Sequence, residues 1–130
     1  MSEANVEFLR RGYDALQRGD IAAFKALARD HLEDDFEFHQ VWDGQVLRGY
    51  EGTVEWLEDT SETWAEYSQS VEEIVELGEQ VLVVVRIEAR GGGSGVPVAE
   101  ELAVLWTFEG DRATEARSFT SREEALDARA

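Results

Sequence analysis

The hydrophobic period of this 130-residue chain changes part-way along its length, from three-and-four to two, and no other feature limits the available folds as much. From Glu3 to Arg18, the residues Val6, Leu9, Tyr13 and Leu16 recur at spacings of three and four, which is one stripe of an amphipathic helix. Gly19 ends that helix. Asp20 is a good N-cap for a second one, which carries Ile21, Phe24, Leu27 and Ala28 and fades at His31. Alternation then takes over: Phe36, Phe38, Gln40 and Trp42 share one face of a strand, with Glu37, His39, Val41 and Asp43 on the other. A turn at Asp43 and Gly44 follows, and residues 49–52 lead into a third helix expected to run to Tyr67. Val54, Leu57, Ser61 and Trp64 mark one stripe of it and Trp56, Thr60, Thr63 and Tyr67 a neighbouring one, so it should bury a wide face.

The remainder reads as strand, over 68–77, 81–89, 98–108 and 113–120, with turns at Gly78 and Gly110-Asp111 and a glycine-rich link between the middle two. Ser121 and Glu124 form a capping box for a short last helix, SREEALDAR. Consecutive strands with short turns predict an antiparallel meander, and helices gathered in the first half predict an α+β fold with the helices on one face of the sheet. Long strands joined by tight turns twist and curl. A curled sheet with helices across its mouth encloses a cone-shaped cavity. No internal repeat or interdomain break is visible, so residues 1–130 are expected to form one domain.

Charge and composition exclude several functions. The formal net charge is −17, from 29 acidic against 12 basic residues. Its field repels phosphate backbones and anionic headgroups, so neither nucleic acid nor a membrane surface is expected as a partner. No apolar run reaches the length of a membrane helix, and no basic segment followed by an apolar one opens the chain, so a cytoplasmic location is expected. The absence of Cys excludes disulfides and thiolate chemistry. Two His without ligand spacing predict no metal site. The run Gly91-Gly92-Gly93-Ser94-Gly95 lacks the Lys and the strand-to-helix setting of a phosphate loop, so no cofactor is expected.

The aromatic residues point to a pocket. Trp42, Trp56, Trp64 and Trp106 come from different elements and would converge in a cone, with Gln40 and Ser118 as polar contacts for an apolar or aromatic ligand. Glu115 and Arg117 share one face of the last strand, Ala116 and Ser118 the other, and either pair could point inward; a one-residue slip in the first strand would likewise exchange Gln40 for His39. On the outer face Leu82, Val84, Leu105 and Phe119 are apolar where a monomer would prefer polar groups, which predicts a homodimer through the convex sheet. His31, among Asp30, Glu33, Asp34 and Asp35, is expected at the surface.

Five segments together resemble the SnoaL-like and ketosteroid-isomerase-like proteins of the nuclear transport factor 2-like superfamily. They are Gln17-Arg18-Gly19-Asp20, Arg48-Gly49-Tyr50-Glu51-Gly52, Gly93-Ser94-Gly95, Leu105-Trp106-Thr107-Phe108 and Arg122-Glu123-Glu124-Ala125-Leu126. The resemblance implies a strongly curved antiparallel sheet packed on three N-terminal helices, the cystatin-like α+β barrel. It leaves the chemistry open, because that superfamily hosts isomerases, dehydratases, epoxide hydrolases, polyketide cyclases and proteins without catalysis.

Ketosteroid isomerases use an Asp base with a Tyr and a protonated Asp as oxyanion donors. Those positions fall here at Gln40, Gly12 and Val104, so the mechanism is not expected. Tyr13 lies one residue from the Tyr position, about 100° round a helix, and a packing role or a shifted alignment both remain open. Tyr13, Gln40, Trp42, Trp56, Trp64, Val104, Trp106 and Ser118 are the candidate ligand-binding residues. Two functions stay open: a noncatalytic small-molecule-binding domain, or a cofactor-independent lyase, isomerase or epoxide-hydrolase-type enzyme on a small hydrophobic substrate.

Overall fold

The computed structural model describes residues 3–40, 44–91 and 97–128, and their side chains outside 59–69, 89–91 and 97–100. In chain order the elements are α1 (Glu3–Arg18), α2 (Ile21–His31), β1 (Leu32–His39), β2 (Val46–Arg48), α3 (Gly49–Thr63), β3 (Trp64–Leu77), β4 (Gln80–Gly91), β5 (Pro97–Glu109), β6 (Arg112–Phe119) and α4 (Arg122–Ala128). The α1–α2 break forms for local reasons. Gly19 takes φ 72°, and the Asp20 carboxylate accepts a hydrogen bond from the Ala23 amide at 3.1 Å, capping α2.

The strands form one curved, unclosed sheet in the order β2-β1-β6-β5-β4-β3. β3 to β6 make the expected antiparallel meander. One pairing departs from an all-antiparallel sheet: β1 lies parallel to β6, with Phe38 opposite Ala116 and His39 opposite Arg117. Parallel neighbours are joined by a long crossover instead of a hairpin, and here the crossover is residues 40–111, more than half of the chain. Turn residues give no sign of it. The loop expected before the third helix contains β2, a three-residue edge strand paired with the end of β1.

α3 stops at Thr63, short of the expected Tyr67, and Trp64 begins β3 instead of closing the helix. The apolar spacing does continue, but β-branched and aromatic residues at 60, 63, 64 and 67 suit a strand as well as a helix. Ladder partners on β4 settle the competition, with Trp64 opposite Gly91 and Tyr67 opposite Ala89.

Two apolar layers hold the sheet. On its inner face Val81, Val83, Val85, Val104, Trp106 and Ala116 pack against Phe8, Leu9, Tyr13, Phe24 and Leu57 of the first three helices. On its outer face Leu82, Ala103 and Leu105 pack against Ala125 of α4, with Val75, Leu77, Phe119 and Leu126 around them. This overturns the expectation of an exposed apolar outer face. Leu82 is 0% exposed, Val84 5% and Leu105 5% within one chain. The helix over Leu82 and Leu105, α4, is held by its own cap, Ser121 Oγ accepting from the Glu124 amide at 3.2 Å, and by the Arg122–Glu73 ion pair at 2.9 Å. Among the described residues no helix is long and apolar enough to cross a membrane.

α2 is tied to β6 at its far end. Arg112 donates to the Asp30 carbonyl at 3.2 Å and to the Leu32 carbonyl, and pairs with Glu33 at 3.3 Å. His31, expected at the surface, is half-buried: its ring stacks on Phe8 with centroids 4.6 Å apart, and its Nδ1 lies 3.3 Å from the Asp111 carbonyl oxygen.

Candidate functional site

α1 crosses the inner face of the sheet, and a cavity of about 80 Å³ lies between them. Leu9, Gly12, Tyr13 and Leu16 of α1 form one wall, and Thr53, Trp56 and Leu57 of α3 another. The sheet supplies Phe38, Leu47, Val104, Trp106 and Ser118, with Gln40 just past the end of β1. These sheet residues share a face because the ladders put them in register: Trp106 opposite Ala116, Ala116 opposite Phe38, and Phe38 opposite Leu47. Ala116 is small, so the indole of Trp106 has room to lie between its neighbours.

Trp106 is the hub of the wall. Its ring stacks on Phe36 with centroids 5.7 Å apart and an interplanar angle of 19°, and meets Phe8, Tyr13 and Phe38 edge to face. Its Nε1–H donates to the Tyr13 hydroxyl oxygen at 3.1 Å. Ser118 Oγ donates to the His39 carbonyl oxygen at 3.3 Å, and Thr53 Oγ1 to the Gly49 carbonyl oxygen at 2.9 Å. Among the described lining residues there is no charged side chain and no His. The lining side chains that carry polar atoms are those of Gln40, Ser118, Thr53, Tyr13 and Trp106, groups that hold a hydrogen bond but do not take a proton near neutral pH.

The structure brings Tyr13, Gln40, Trp56, Val104, Trp106 and Ser118 to this one cavity. Trp42 lies outside the described residues, as does the side chain of Trp64, whose backbone is in β3. The open alternatives resolve by strand register. Gln40 lines the cavity, while His39 points to the outer face, its Nε2 3.3 Å from Glu37 Oε1 without hydrogen-bond geometry. Ala116 and Ser118 face inward; Glu115 and Arg117 pair at 2.8 Å on the outside.

Tyr13 is a cavity residue despite the one-residue offset, because α1 buries a face wide enough to include Phe8, Leu9, Gly12 and Tyr13. Thr53 and Phe8 were missed by sequence reasoning. Phe8 adjoins Leu9 on the stripe and could have been found by widening it, whereas a Thr inside a helix carries no signal of its own. No cluster of three potential metal-ligating side chains occurs among the described residues.

No curated protein matches the sequence. Solved structures of low identity share the fold. A protein from Jannaschia sp. CCS1 assigned as a SnoaL-like polyketide cyclase superposes with a TM-score of 0.78 at 21% identity, over 98% of this chain and 94% of that one. A protein of ketosteroid-isomerase-like fold from Catenulispora acidiphila, in complex with trimethylamine, gives 0.76 at 16% identity, over 93% and 90%. An epoxide hydrolase of the LEH-like type from M. tuberculosis gives 0.72 at 18% identity, over 95% and 83%. The model of the SnoaL-like domain matches residues 9–116, so the chain belongs to the SnoaL-like domain family.

Proposed function

We propose that this domain binds a small apolar or aromatic molecule in the cavity beneath α1, without catalysing a reaction through the ketosteroid isomerase groups. One observation carries the reading: an aromatic-walled cavity around Trp106 whose described lining contains hydrogen-bonding groups but no acid or base. Such a lining suits recognition by shape and burial, with Gln40 and Ser118 to orient a single polar group on the ligand. The enzyme alternative of the epoxide-hydrolase type would need a charged pair in the cavity, and the candidate pair on β6, Glu115 with Arg117, lies on the opposite face of the sheet.

The cavity is about half the ~150 Å³ of a dry engineered cavity that accepts benzene. A ring-sized ligand therefore enters only as the half-buried Leu16, Phe38, Gln40 and Trp56 shift aside. Thermal denaturation with benzene, phenol and indole tests this. A ligand that binds only the native state stabilises it by about 1.4 kcal/mol at roughly ten times its Kd. A saturable rise in Tm with at least one of the three is expected, and no rise with any of them rejects the reading.

We also propose that two copies pair through the part of the outer face that α4 leaves open. Among the described residues this face carries the ion pairs Arg86–Glu88, Glu115–Arg117 and Arg48–Glu37, which lessen the repulsion between two such faces despite the net charge of −17. Light scattering after gel filtration should give twice the monomer mass; a monomer at ~0.1 mM rejects the pairing.

A further inference from the structure

A glycine inside a helix destabilises it relative to alanine, through backbone entropy and lost side-chain cover. Gly12 sits in the middle of α1, and the two usual reasons for a helical glycine are absent. Its φ is not positive, unlike that of Gly19, Gly44, Gly49, Gly78 or Gly110. Close packing does not demand it either. A Cβ built there meets nothing nearer than Phe24 Cε1 at 3.9 Å and Cδ1 at 4.0 Å, which is ordinary van der Waals contact. What lies in front of Gly12 is the cavity, whose α1 wall it forms with Leu9, Tyr13 and Leu16.

We infer that Gly12 is a specificity-determining residue: its missing side chain sets the depth of the cavity, and a compact apolar part of the bound molecule lies there against the α1 backbone. The inference rests on the ligand-binding reading and adds to it the place and size of the occupant. An alanine would take one methyl group, and a leucine four carbon atoms, out of about 80 Å³. The site therefore discriminates by bulk at Gly12 and by hydrogen bonding at Gln40 and Ser118.

Xenon is a suitable probe, being a single apolar atom of the kind that enters dry cavities. Its binding is measured by 129Xe NMR titration of wild type, Gly12→Ala and Gly12→Leu, with Tm recorded for each. Saturable binding to wild type is expected. Gly12→Ala should bind xenon at least two-fold more weakly with a higher Tm, and Gly12→Leu at least ten-fold more weakly. Unchanged binding in Gly12→Leu, or a lower Tm in Gly12→Ala, overturns the inference and gives Gly12 a packing role, while leaving the cavity as a ligand site. If Gly12→Leu does not fold, Gly12→Ala alone is sufficient, since its methyl group meets no close neighbour: weaker binding supports the inference and unchanged binding overturns it. A wild type that takes up no xenon rejects the ligand-binding reading, and this inference with it.

Discussion

Trp106 on β5 and Tyr13 on α1 are 93 residues apart and share one buried hydrogen bond of 3.1 Å, with their rings edge to face at 6.4 Å. The indole has a single N–H and no acceptor of its own, so the phenol oxygen is what allows its burial. This contact fixes α1 across the sheet and therefore fixes the shape of the cavity.

Tyr13→Phe keeps the ring and removes that acceptor. The buried indole N–H then loses its partner, at a cost of about 1–3 kcal/mol. In a Trp106→Phe background the same change should cost less, leaving a coupling energy of about 1 kcal/mol in a urea-denaturation double-mutant cycle. Strict additivity would show that the bond contributes nothing.

Gly49→Ala and Gly12→Ala should move stability in opposite directions. Gly49 has φ 67°, and a Cβ there would meet the Asp34 carbonyl oxygen at 3.2 Å. Left-handed backbone alone costs a non-glycine residue roughly 1–2 kcal/mol, so Gly49→Ala lowers stability by at least that. Gly12→Ala, with helical backbone and no close contact, should raise it by about 0.5–1 kcal/mol. Chemical denaturation of both variants under one condition checks the sign of each.

Arg112→Lys tests the tie between α2 and β6. A guanidinium serves the Asp30 and Leu32 carbonyls and Glu33 together, and an ammonium on a flexible stem cannot hold that arrangement. A loss of about 1–2 kcal/mol is expected from denaturant unfolding. Wild-type stability in the lysine variant would mean that charge alone is enough.

Salt should stabilise this protein. With 29 acidic and 12 basic residues the folded chain repels itself, and raising NaCl from ~0.01 to ~0.1 M shortens the screening length from about 30 to about 10 Å. A Tm increase of about 4 °C is expected, equivalent to roughly 1 kcal/mol. A fall in Tm would mean that exposed pairs such as Arg11–Glu7 and Arg18–Asp14 contribute more than the net repulsion.

Local signals carried much of this structure. Both boundaries of α1 and α2 follow from the period of three and four, from Gly19 and from the Asp20 cap, because a helix makes its hydrogen bonds within its own segment. The meander from β3 to β6 follows from alternation and from turns at Gly78 and Gly110, whereas alternation alone left open whether Gln40 or His39, and Ser118 or Arg117, point inward. Strand ladders lie outside such reasoning, since a strand finds its partners elsewhere in the chain. For that reason the parallel β1–β6 pairing, the short β2 and the end of α3 at Thr63 were not legible.

The cavity divides in the same way. The amino-acid sequence by itself determined that aromatic groups would gather on one side of a curled sheet. Only the tertiary structure decided that Tyr13 and Gly12 both face the space, that the Tyr13 hydroxyl is engaged by Trp106, and that α4 covers the outer apolar residues. Periodicity records which face of an element is apolar; what covers that face, and how much room is left beneath it, depends on the distances between elements remote in sequence.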